Sequence, residues 1–68
     1  MNDNFIFRTK RDLYGNVYYL KIDFKNKVAE SCYNIGFGAY NAAVEITKKG
    51  LRDLREHLEK SGFTINYT

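Results

Sequence analysis

Apolar and polar residues alternate along most of this chain, and the places where the alternation breaks mark its elements. Residues 4–10 read N-F-I-F-R-T-K, so period two sets Phe5 and Phe7 on one face and Ile6 on the other, the pattern of a short strand. A second run, residues 17–24, places Tyr18, Leu20, Ile22 and Phe24 on one face and Val17, Tyr19, Lys21 and Asp23 on the other. The first set is the expected core face. Between the runs, Asp12-Leu13-Tyr14-Gly15-Asn16 offers Gly and Asn where a tight turn needs positive φ, which predicts a hairpin.

Lys25-Asn26-Lys27 makes a second polar turn, with Asn26 expected to take the left-handed conformation. A third strand over residues 28–37 then sets Ala29, Ser31, Tyr33, Ile35 and Phe37 against Val28, Glu30, Cys32 and Asn34. Two glycines at alternate positions, Gly36 and Gly38, free the backbone over residues 36–41, so a loop or bulged bend is expected there. A short strand over residues 43–46 follows.

The period then changes from two to that of a helix. Thr47 is a good N-cap, Leu51, Leu54 and Leu58 recur at i, i+3 and i+7, and Ser61-Gly62 supplies a stop. Spaced opposite charges (Lys49 with Asp53, Arg52 with Glu56, Arg55 with Glu59, Glu56 with Lys60) predict a solvated outer face laced with ion pairs. Residues 63–68 alternate again and read as a short final strand, pairing within the chain or with another copy. The predicted fold is α+β: an antiparallel three- to four-stranded β-meander followed by one amphipathic C-terminal helix. Without prolines, repeats or low-complexity runs, residues 1–68 form a single small domain.

Length limits how that domain can be held together. A chain of 68 residues buries only about 60% of the surface exposed by its unfolded form. With Cys32 the only cysteine and His57 the only histidine, neither an internal disulfide nor a histidine-rich metal site supplements the core. Aromatic residues, 16% of the chain, are the available substitute. The first residues, M-N-D-N, carry no basic or apolar leader pattern and no apolar run is long enough to span a membrane, so a cytoplasmic protein without membrane contact is expected.

Catalytic chemistry finds no foothold in the inventory. His57 borders the leucine stripe with Asp53 one turn before it, and nothing in the spacing implies a nucleophile for it to activate. Cys32 sits inside a strand as a small packed hydrophobe. Asp12, Asp23 and Glu30 are scattered without metal-ligand spacing, and Gly36-x-Gly38 is a fragment of a phosphate loop followed by a strand where the motif needs a helix. No cofactor, no metal and no enzymatic activity are expected.

A binding role remains, and the net charge of +3 bears on it. Arg8, Lys10, Arg11, Tyr14, Tyr19, Lys21 and Lys25, with Lys27 beyond them, mix cations and flat rings across the first hairpin. Such sheets hold single-stranded DNA or RNA, because phosphates need cations and unstacked bases need rings. Lysines along a hairpin also deter edge-to-edge aggregation, the plainer explanation of the same residues. The leading expectation is a stand-alone protein-interaction module, such as an inhibitor or regulator of a host protein encoded by a phage or mobile element. Its small size and AT-rich residue vocabulary fit that class. One helix covers one sheet face, so Val17 and Tyr19 on the other are expected to meet a protein target or a second copy in a homodimer. Single-stranded nucleic acid on the basic hairpin is the alternative.

Overall fold

Where the alternation is strict, the chain forms strands. The computed structural model describes residues 4–34 and 43–67. Strand β1 is Asn4–Arg8, β2 Tyr18–Asp23, β3 Val28–Tyr33 and β4 Val44–Glu45; helix α1 is Lys48–Lys60, and β5 is Thr64–Tyr67. The strands make one sheet in the order β4-β1-β2-β3-β5. The pairs β1–β2 and β2–β3 are antiparallel, whereas β4 joins β1, and β5 joins β3, in parallel.

The turns follow from their side chains. Asp23 Oδ1 accepts the backbone N–H groups of Lys25 and Asn26 at 3.1 and 3.2 Å, and Asn26 Nδ2 donates to Asp23 Oδ2 at 2.8 Å. These bonds hold the Asp23 carboxyl below the usual aspartate range, the Asn26 side chain contributing most. With Asn26 so engaged, the left-handed residue of the turn is Lys27, at φ 54°, and not Asn26 as its residue type suggests. At the other end of β3, Asn34 adopts φ 51° while its Oδ1 accepts the Val17 N–H at 3.0 Å.

Helix α1 begins and ends on the predicted signals. Thr47 Oγ1 accepts the Gly50 N–H at 2.9 Å. At the far end Gly62 takes φ 92°, and its N–H donates to the Glu59 carbonyl while that of Phe63 donates to Leu58, the paired bonds of a Schellman stop. The Leu58 carbonyl is thus satisfied and the chain turns directly into β5.

Leu20, Ile22, Ala29, Leu51 and Leu58 form the buried core between sheet and helix, with Phe7, Tyr18, Ile46, Leu54, Phe63 and Ile65 packed against it. Burial of each large aliphatic side chain contributes about 1.5–3 kcal/mol. The predicted core face of β2 is therefore the one the helix covers, except at its end. Strand β2 stops at Asp23, and Phe24 is half-exposed, its ring edge-on to Phe5 and Phe63 at 5.5 and 5.8 Å.

The architecture departs from the predicted meander in two ways. The sheet is mixed and has five strands, and the helix is followed by a strand instead of ending the fold. Both departures have one cause. Strands β4 and β5 lie at opposite edges, so α1 must carry the chain over three intervening strands, and a crossover of this kind returns the chain in the same direction. Strand β3 ends at Tyr33, short of the predicted residue 37; the rest of that strand and the loop over residues 36–41 lie outside the described residues. Strand β4 is only two residues long.

The face opposite the helix is not left open along its whole length. Val17 and Tyr19, which point there, are each 2% exposed, whereas Lys21 and Glu30 on the same face are exposed. Residues 64–67 find their partner in β3 of their own chain. The two features that suggested a second copy, an uncovered Tyr19 and an unpaired tail, are both accounted for within one chain.

Candidate ligand-binding groove

The helix crosses its sheet face diagonally. It starts where the Ile46 N–H donates to the Arg8 carbonyl and ends where the Thr64 N–H donates to the Lys27 carbonyl, at the other end of the strands. A diagonal leaves a corner of the face uncovered, and in that corner stand Tyr18, Tyr33, Ser31 and Tyr67. A groove of about 520 Å³ runs between this corner and the helix, lined by Tyr18, Ser31, Lys48, Lys49, Leu51, Arg52 and Arg55.

The residues of the groove hold one another in place. Arg55 donates from Nη1 to Ser31 Oγ at 3.0 Å and lies 5.7 Å from the centre of the Tyr67 ring, while the Tyr67 hydroxyl donates to Glu59 Oε1 at 3.2 Å. Lys48 Nζ stands 5.0 Å over the Tyr18 ring, which is tilted against Tyr33 at 6.2 Å. Cation–ring contacts of this kind contribute about 0.5–1 kcal/mol each at exposed sites. The outer rings remain accessible: Tyr33 is 58% and Tyr67 65% exposed.

Among the described residues, four cations and no carboxylate line the groove. Two of them, Lys48 and Lys49, occupy the first turn of α1, which contains no acidic residue. Positive charge there opposes the helix dipole, at about 0.3–1 kcal/mol per residue. Departures from a local rule are expected at functional or strained sites. Among the described residues Lys48 is offset by Asp12 Oδ2 at 3.6 Å, and Lys49 and Arg52 pair with no carboxylate. Of the ion pairs predicted along the helix, Glu56–Lys60 closes at 3.8 Å; Arg55 turns to the sheet instead, because Ser31 and Tyr67 are within its reach.

The constellation predicted on the first hairpin is not brought together. Arg8 faces Glu45 at 3.3 Å, and Lys10 reaches the same carboxylate at 3.9 Å. Arg11 donates to the Gly15 carbonyl at 2.9 Å within its own loop. Val17 and Tyr19 are buried, Lys21 lies on the face away from the helix, and Lys25 and Lys27 sit in the turn at the opposite end of β2 from Tyr14. The groove residues were readable in one respect: Lys48, Arg52 and Arg55 recur at i, i+4 and i+7 beside the leucine stripe. Nothing local distinguishes that stripe from a solvated face.

The first hairpin loop instead forms a rigid tip. Asp12 Oδ1 accepts the N–H groups of Tyr14 and Asn16, both at 2.9 Å, and Gly15 supplies φ 81°. Leu13 and Tyr14 project from it, 100% and 87% exposed. The Asn16 amide above all holds the Asp12 carboxyl below the usual aspartate range; desolvation, the next largest effect, opposes it, and the Tyr14 amide and the charge of Lys48 add to the lowering. Its folded pKa is depressed, so the order it confers is present above the unfolded aspartate value and is lost as pH falls through the lowered one. The Tyr14 and Asn16 amide resonances are therefore expected to shift together with a midpoint below that of an ordinary aspartate. A midpoint at the ordinary value would show that these bonds do not hold the loop.

Among the described residues no three His, Cys, Asp or Glu side chains gather as a metal site; His57 is exposed and Cys32 half-buried. Among them, too, no helix is long and apolar enough to cross a membrane. Compared with known proteins, the chain matches no family model, no curated protein and no solved structure.

Proposed function

We propose that this protein is a non-catalytic binding module that holds an extended polyanion in the groove between α1 and the tyrosine corner of the sheet. The observation that carries this reading is the groove lining itself: among the described residues four cations, no carboxylate, and two of the cations placed against the helix dipole. A bound anion would relieve that opposition and meet Lys49 and Arg52 without displacing an internal partner.

Charge reversal tests the reading. A Lys49→Glu, Arg52→Glu double variant is expected to elute from immobilised heparin at clearly lower salt than the parent, with a melting temperature no lower than the parent's, because both residues are exposed and a carboxylate in the first turn of α1 favours the helix dipole. Leu13→Asn, which adds no charge to the exposed tip, should elute with the parent. A parent protein that fails to bind heparin at low salt would end the proposal.

A second reading, a module directed at a protein target as the sequence suggests, has its own support in the tip. Leu13 and Tyr14 present an apolar and an amphipathic side chain on a pre-ordered loop, which lowers the entropy cost of docking. An inhibitor or regulator of a host protein would use that surface and leave the groove free.

A further inference from the structure

We infer that the polyanion is a single strand of nucleic acid, with two successive bases on Tyr33 and Tyr67 and their phosphates toward Lys49 and Arg52. This rests on the groove being the binding surface and adds the class of ligand. Cations alone would serve any polyanion, so the class is decided by the rings. Tyr67 pairs in register beside Ser31, and Tyr33 lies two residues beyond Ser31 on the same face of β3, so the two exposed rings are diagonal neighbours on adjacent strands. Tyr67 is fixed at both ends, by Arg55 over its ring and by Glu59 at its hydroxyl, and Tyr33 is backed by Tyr18.

Rings held this way and still more than half exposed are platforms for flat ligands. Carboxylates of an acidic peptide gain nothing from them. A duplex keeps its base faces inside the stack, so the rings stay unused there as well. An unpaired strand meets the cations of the groove and the exposed rings beside it at once. The sugar is not selected by any of these contacts, so DNA and RNA strands share the required chemistry.

The test is a fluorescence titration of the full chain with short oligothymidylate, oligouridylate, a DNA duplex and poly-glutamate. The parent is run beside Tyr33→Leu, Tyr67→Leu, Tyr67→Phe and Arg52→Glu. Affinity for the single strands is expected to exceed that for duplex and poly-glutamate, and to fall with salt at a log–log slope of about −1.4 for two phosphates, at about −0.7 each. Each Tyr→Leu change should weaken strand binding by about 5- to 150-fold. Tyr67→Phe keeps the ring and should stay near the parent, which separates stacking from the bond to Glu59. The preferred oligonucleotide identifies DNA or RNA as the source. Poly-glutamate or duplex bound as tightly as single strands, with the Tyr→Leu variants unaffected, would overturn this inference and leave the polyanion groove standing. If no polyanion binds, the groove reading falls and this inference with it.

Discussion

Leu58→Ala is expected to lower the melting temperature by at least about 10 °C, and to leave little folded protein at moderate urea. Leu58 is 4% exposed and belongs to the cluster with Leu20, Ile22, Ala29 and Leu51, so its truncation removes a buried core side chain near the end of the helix. Such a change costs about 2–5 kcal/mol, through lost transfer energy and the cavity left behind. A domain of this length has about 3–10 kcal/mol in total, so most of the margin is at stake. Leu54 is only half-buried, and Leu54→Ala should cost clearly less, although the two share one stripe in the sequence. A thermal melt followed by circular dichroism measures both. If Leu58→Ala melts with the parent, the helix does not dock through this residue.

Tyr19→Ala is expected to act on stability and not on any binding surface. Its ring is 2% exposed on the face away from the helix, between Arg8 and Cys32 in the register of the sheet, and removing a buried aromatic side chain costs about 3–5 kcal/mol. Tyr14→Ala, at 87% exposure, should change stability by no more than about 0.5 kcal/mol. The contrast is informative because residue type and spacing assign both tyrosines to one ligand-binding hairpin. Urea unfolding of the two variants checks it, and equal midpoints would mean that the second face is not closed around Tyr19.

These two tyrosines show where local reasoning stops. Period two correctly separates Tyr18, Leu20 and Ile22 from Val17, Tyr19 and Lys21, since successive side chains of a strand must point to opposite faces. It does not say which face is covered at which end, because burial depends on segments distant in sequence. The same limit applies to Phe24, which continues the alternation but lies past the last pair of the β2–β3 ladder, Asp23 with Val28.

What the sequence determined by itself are the features set by neighbours within one turn or one hairpin. Thr47 caps the helix, Gly62 ends it, Leu51 and Leu58 face the core, and Asp12 and Gly15 shape the first loop. Tertiary structure alone decided the order of the strands and the identity of the groove. Strands β4 and β5 carry no mark of their parallel partners; the span of α1 from one edge of the sheet to the other places them. Lys49, Arg52 and Arg55 each have a carboxylate four residues on, so they read as halves of surface ion pairs. Exposed pairs of that kind are worth only tenths of a kcal/mol, too little to dictate a rotamer. Arg55 therefore goes to Ser31 and Tyr67 once the sheet is beside it, and a stripe that looked solvated becomes the wall of a groove.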